Sequence, residues 1–238
     1  MKLDILAFGV HPDDVELCAA GTLIKHIKLG YKVGIVDLTQ GELGTRGNAE
    51  LRLREAQASA KVMGVSIREN LEMRDGFFSA TDENQMKLIR AIRKYRPEIV
   101  LANAIRDRHP DHGRSAELES RACFLAGLRK VETEMDGKVQ EAWRPKVVYH
   151  YIQDRHIDPD FCVDITDFMD QKMEAIRCFA SQFYNPESDE PESPISVKDF
   201  LDYIKARSKA QGRPIGAEFG EGYTVERQIG VKSLFDII

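Results

Sequence analysis

The sequence predicts an α/β protein built on a Rossmann-like, doubly wound and mostly parallel sheet with helices on both faces. Three observations predict it. Apolar runs of strand length alternate with stretches whose apolar residues recur at helical spacing, glycine or proline stands where those helices should stop, and two polar clusters follow strand-like runs.

Residues 3–10 (LDILAFGV) form a continuous apolar run, as a parallel strand covered on both faces requires. The run ends in His11-Pro12-Asp13-Asp14. Over residues 15–29, Val15, Leu17, Cys18, Leu23, Ile24 and Ile27 recur at helical spacing, and Gly30 stands at the C-cap. Residues 31–39 read as a second strand, 49–63 as a helix stopped by Gly64, the neighbourhood of Leu71 as a short strand, and 82–95 as a helix stopped before Pro97. Residues 98–103 (EIVLAN) are another buried strand. Such alternation gives βαβ units with right-handed crossovers. Beyond His112 a helix is predicted to about Arg129, then a charged stretch with Gly137 and Pro145, then a strand over 146–152 (KVVYHYI). In the last third, helices are expected over 167–181 and 197–211. The Pro-rich loop 185–194 (NPESDEPESP) between them is too short for a domain linker and reads as a mobile excursion. There is no internal repeat, and residues 1–238 read as a single domain.

A chain of 238 residues can bury one sizeable core without disulfides. Lys and Arg number 34 against 39 Asp and Glu, with no basic stripe, so nucleic acid is not an expected partner. Cys18, Cys123, Cys162 and Cys178 are scattered and form no C-x-x-C pair, as in a reduced, cytoplasmic protein. The sequence shows neither a signal peptide nor an 18-residue apolar span, so secretion and membrane insertion are disfavoured.

In open α/β sheets the first strand–helix turn is where a dinucleotide enzyme carries its glycine-rich phosphate loop. Here it carries two carboxylates, which would repel a pyrophosphate, and no phosphate-binding glycine motif occurs. Imidazole plus carboxylates is instead part of a metal site. The strand over 98–103 leads to the complement, Asp107-Arg108-His109-Pro110-Asp111-His112. In a parallel sheet both clusters lie at one edge, where a His2Asp set with an open water position is the pattern of a catalytic zinc. Each proline keeps its histidine out of the helical region and can open the next helix. An Asp after a strand is often only a helix N-cap, but two such clusters at strand ends hold three of the six histidines. His26, His150 and His156 lack that context. His156, in a loop, is the one of these three that could reach the site.

AFGVHPDDVE, followed by DRHPDH, resembles the PIG-L / LmbE-like family of zinc-dependent N-acetylglucosamine deacetylases, and more closely the bacillithiol-pathway enzymes that act on N-acetylglucosaminyl malate. The likeness extends through GELGTRG, AELRLREA, SQFY and AEFGEGY, and so over nearly the whole chain. The resemblance implies an LmbE-like fold in which His11, Asp14 and His112 bind zinc. It implies Asp13 as the general base, His109 beside the scissile carbonyl as oxyanion stabiliser, and Asp107 as a supporting partner. The residues alone do not separate Asp13 from Asp14 or His109 from His112. A ferrous ion suits the same ligands. The resemblance also implies an amino-sugar substrate and a homo-oligomer, as similar proteins form hexamers.

Planar bidentate pairing makes arginine the efficient anchor for a substrate carboxylate, and Arg52 and Arg108 match positions that face substrate in similar proteins. Glu42, Arg46 and the glycines of GELGTRG suggest a loop in which backbone approaches a ligand closely. The alternatives are the same chemistry on another acylated amino sugar, such as a chitin-derived disaccharide, an Fe(II) oxygenase and a non-catalytic sugar-binding protein. The oxygenase has no use for a carboxylate base, and the binding protein leaves Asp13 without a role.

Overall fold

The computed structural model describes residues 1–236. Its main sheet has seven strands in the order β3-β2-β1-β4-β7-β9-β8. In chain order the elements are β1 (Ile5–Gly9), α1 (Asp14–Lys28), β2 (Val33–Thr39), α2 (Ala49–Met63), β3 (Ile67–Met73), α3 (Asp82–Tyr95), β4 (Ile99–Ala102) and α4 (Pro110–Ala126). A small hairpin, β5 (Glu134–Met135) and β6 (Lys138–Val139), precedes β7 (Val147–Tyr151), β8 (Phe161–Asp164), α5 (Met169–Arg177), α6 (Phe200–Gly212) and β9 (Gly220–Val225).

Strands β1 to β4 and β7 pair in parallel, whereas β9 pairs antiparallel with both β7 and β8. The mostly parallel sheet predicted above is therefore present, with an antiparallel margin. The apolar runs are continuous because each strand is covered twice. Ile5 and Ala7 of β1 face the layer of α1, α2, α5 and α6, and Leu6 and Phe8 face that of α3 and α4. The helix caps follow local chemistry. Asn48 accepts from Leu51 N–H, Thr81 from Asn84 N–H, and Gly64 closes α2 in the left-handed region at φ 79°.

Two expectations need correction, and four strands were not expected. The helix expected over 167–181 is a 3-10 turn followed by α5, which ends at Arg177, and α6 begins at Phe200 rather than residue 197. The 134–139 hairpin, β8 and β9 had no strand-like signal, and β9 (GEGYTV) holds two glycines and a glutamate. Glu221 suits the interior because it is paired. Its carboxylate accepts from Gly21 and Thr22 N–H at 2.9 and 2.7 Å and from Lys172 Nζ at 2.7 Å. Both members of this ion pair are 1% exposed.

The strand order turns back between β1 and its neighbour β4, opening the crevice beyond their carboxyl ends where such sheets bind ligands. No helix among the described residues is long and apolar enough to cross a membrane.

Candidate metal and catalytic centre

The turn after β1 and the loop after β4 bring the two predicted clusters together. His112 Nε2 lies 3.2 Å from Asp14 Oδ1, and His11 Nδ1 lies 3.8 Å from Asp14 Oδ2. The ring centroids of His11 and His109 are 4.8 Å apart, and those of His109 and His112 5.1 Å. His11, His109 and His112 each offer a nitrogen within 4.8 Å of the others. All line one cavity of about 280 Å3, together with Asp13, Asp14 and Arg52.

Asp14 is fixed from every side. Its Oδ2 accepts from Val10 N–H and His11 N–H at 3.0 Å and from Asn103 Nδ2 at 3.1 Å, and its Oδ1 from Gln153 Nε2 at 3.1 Å. Burial opposes its ionisation, but the His112 charge and hydrogen bond and the His11 charge hold the carboxyl well below its usual range. The two histidines beside it are held by carboxylates on their far nitrogens. His11 Nε2 meets Asp75 Oδ1 at 3.0 Å, and His112 Nδ1 meets Asp107 Oδ2 at 2.6 Å. Burial disfavours both imidazolium forms, yet Asp111 and Asp75 raise His11 to about 10, and Asp14 and Asp107 raise His112 to about 9. A site that draws protons onto two buried imidazoles is shaped for positive charge. Neutral imidazole and carboxylate donors backed by further carboxylates are the donor set of a divalent ion, so the residues fit one.

Asp13 differs from its neighbour. It precedes α1 with φ 137°, a strained value for a residue with a side chain, and caps no N–H. Its Oδ2 instead accepts from Arg52 Nη2 at 2.9 Å. Burial pushes the Asp13 carboxyl up to about 7, with the nearby Asp14 charge adding to the rise and Arg52 opposing it. His109 is the N-cap of α4. Its Nδ1 accepts from Asp111 N–H at 3.3 Å, so the proton of the neutral ring sits on Nε2. Burial, then the charges of His11 and His112, lower its pKa.

Asp107 supports His112 rather than the His109 ring; its other oxygen accepts from Arg155 N–H at 2.5 Å. Arg52 lines the cavity, but its Nη2 is engaged by Asp13 and by Pro12 O at 2.7 Å. Gly41 (φ 63°) lies against that guanidinium so closely that a Cβ would collide with it. Arg108 stands at the rim, its Nε 2.6 Å from Asp154 Oδ2. His26 and His150 bond to backbone carbonyls at Thr22 and Asn103, and exposed His156 pairs with Asp158 outside the cavity. Ser193, Pro194 and Ile195, at the end of the polar loop, form part of the wall. Asp75, Asn103 and Gln153 went unmarked in the sequence. The signal for Asp75 was a third acid at a strand end, Arg74-Asp75-Gly76 after β3.

The profile of the family described as GlcNAc-PI de-N-acetylase (PIG-L) matches residues 6–123, the span that carries both clusters. The chain belongs to the PIG-L family. Over the whole length it is similar to a solved conserved protein of Thermus thermophilus, with 32% identity, 98% of each chain covered and a TM-score of 0.86. Among PIG-L-like relatives, a diacetylchitobiose deacetylase of Thermococcus kodakarensis is 28% identical over 92% of this chain and 81% of its own. A 4-oxalmesaconate hydratase of Pseudomonas putida is 27% identical over 74% and 73%. A probable N-acetyl-alpha-D-glucosaminyl L-malate deacetylase 2 of Bacillus anthracis is 23% identical over 75% and 81%. PIG-L membership and the His/Asp site support hydrolytic deacetylation of N-acetylated sugar conjugates.

Proposed function

We propose that the protein is a metal-dependent N-deacetylase that hydrolyses the acetamide of an N-acetylglucosamine conjugate, with N-acetylglucosaminyl malate as the substrate expected from the resemblance. The observation that carries this reading is the division of labour between adjacent carboxylates. Asp14 is fixed by four hydrogen bonds, only one of them to the Oδ1 that faces His112, while Asp13 faces the same cavity with a carboxyl that burial pushes up to about 7.

His11, Asp14 and His112 would hold the ion, zinc by expectation, with ferrous iron suited to the same donors. A divalent ion bound there supplies Lewis-acid activation of water and carbonyl. Asp13 takes the proton of the attacking water, and Arg52, bonded to its Oδ2, holds the carboxylate in place. His109 presents Nε2–H to the oxygen on which negative charge develops, an interaction stronger in the transition state than in the ground state. Asp13 passes that proton to the amide nitrogen, the C–N bond breaks, and the free amine and acetate are released.

The diacetylchitobiose deacetylase likeness favours a second substrate, a neutral disaccharide, and the hydratase likeness a different reaction of water. Free-amine release from N-acetylglucosaminyl malate, diacetylchitobiose and N-acetylglucosamine, by zinc-loaded wild type and by Asp13→Ala matched for zinc, decides among them. Turnover lost in the mutant supports the mechanism. No turnover with zinc or ferrous iron overturns the substrate class, and equal activity in the mutant overturns the base assignment. One catalytic domain over 1–238 is supported by a sheet that draws strands from Ile5 to Val225. Four free cysteines suit a reducing cytoplasm. A homo-oligomer belongs to this reading through the resemblance alone.

A further inference from the structure

The loop that follows β2 and the polar loop 185–194 meet at one contact. Glu190 Oε1 accepts from Gly47 N–H at 2.8 Å, and its Oε2 lies 3.7 Å from Arg46 Nε. Gly47 directly precedes Asn48, the cap of the 15-residue α2, so a carboxylate here also meets the positive end of a helix. Arg46 is 5% exposed and lines the cavity that holds Asp13 and His112. Its Nη1 donates to Phe183 O at 3.0 Å, but its buried Nε has no hydrogen-bond partner. One edge of a buried guanidinium is thus left facing a carboxylate it does not reach. The acid that faces it is loosely placed, on a side chain 46% exposed.

We propose that Arg46 and the Gly47 N–H form a carboxylate-binding subsite, which Glu190 plugs in the free protein and which an acidic aglycone of the substrate takes over. A ligand carboxylate free of the loop can approach the Nε edge to hydrogen-bond distance and make the charge-assisted bond that Glu190 leaves unmade. Residues 193–195, three positions beyond the plug, form cavity wall, so release of Glu190 frees that wall to adjust to the aglycone. This deepens the deacetylase reading, on which it rests, by selecting conjugates whose aglycone carries a carboxylate.

The test is titration of zinc-loaded protein with L-malate alone, followed by calorimetry, using wild type, Glu190→Ala and Glu190→Ala combined with Arg46→Lys. Removing the plug is expected to tighten malate binding roughly tenfold, because the competing internal state disappears. Lysine at 46 removes the planar edge and is expected to reverse the gain. Binding of malate to the ion itself is common to all three proteins and cancels. In turnover, Glu190→Ala is expected to lower KM for N-acetylglucosaminyl malate relative to that for diacetylchitobiose. Equal malate affinity in wild type and Glu190→Ala, or a gain that survives Arg46→Lys, overturns the subsite. If no sugar is turned over, the deacetylase reading fails while the titration still decides the subsite. Turnover with no gain in malate affinity leaves the deacetylase standing and removes the plug.

Discussion

Arg52 Nη2 donates to Asp13 Oδ2 at 2.9 Å with both side chains buried, so the arginine that the sequence offers as a substrate anchor is already bonded to the carboxylate next to Asp14. The same Nη2 bonds Pro12 O at 2.7 Å, which ties the guanidinium to the backbone of the turn. Arg52 therefore orients Asp13, a residue whose φ of 137° needs outside support.

Arg52→Lys keeps the charge and loses the fork. If Arg52 orients the base, kcat falls roughly tenfold or more with KM changed little, since a proton acceptor out of line costs at the barrier. Steady-state kinetics check this. A raised KM with kcat intact would return Arg52 to the role of anchor.

Asp75 and Asp107 are expected to govern metal retention. Alanine at either position frees the far nitrogen of His11 or His112 to turn, and affinity should fall roughly 10- to 100-fold. Competition with a chromophoric chelator measures the loss. The spectrum of the cobalt-substituted protein should also shift, which a general loss of stability would not produce.

Glu119 is fully buried beneath the site. It accepts from Asn103 N–H at 2.8 Å with one oxygen and leaves the other without a partner. Burial raises its pKa from 4.5 to about 7, against the Asn103 bond and the His150 charge. A carboxyl with a raised folded pKa contributes most when protonated, so its contribution is complete below pH 4.5 and is lost as pH rises through about 7. The loss amounts to about 3 kcal/mol at most. Glu119→Gln keeps the acceptor and removes the titration. Its denaturation midpoint should exceed that of wild type at pH 8, and the difference should vanish near pH 5.

Arg68 lies between two buried acids. Its Nε and Nη2 grip Asp37 at 2.7 and 2.9 Å, and its Nη1 bonds Glu16. Arg68→Met leaves both carboxylates buried and uncompensated, and should cost roughly 3–5 kcal/mol. Urea denaturation measures it. The triple replacement with Asp37→Asn and Glu16→Gln should recover much of the loss.

Much of this architecture is legible in the sequence because it rests on local chemistry. Apolar periodicity and caps mark α1, α2 and α3 within a residue or so, and HPDD and DRHPDH meet because parallel strands deliver their ends to one edge. What escaped is chemistry completed by a distant partner. Gln153 and Asn103 are single polar residues after strands, and only the fold shows that both amides close on Asp14. Strand β9 looks unlike a strand because Glu221 is neutralised by Lys172, from a helix nearly fifty residues earlier. Arg52 could be singled out from its motif, but not its partner, which stands 39 positions away.

The position of β9 has a consequence for synthesis on the ribosome. By His112 the nascent chain has every residue proposed to hold the ion, yet β9 lies between β7 and β8, and its Glu221 grips the middle of α1 through Gly21 and Thr22. Until β9 has emerged, Lys172 lacks its counter-charge, α1 lacks its clasp and β8 has no neighbour in the sheet. Completion of the sheet therefore waits for β9, and a chain cut before it keeps the parallel strands that carry the proposed ligands but lacks the clasp on α1 and the join to β8.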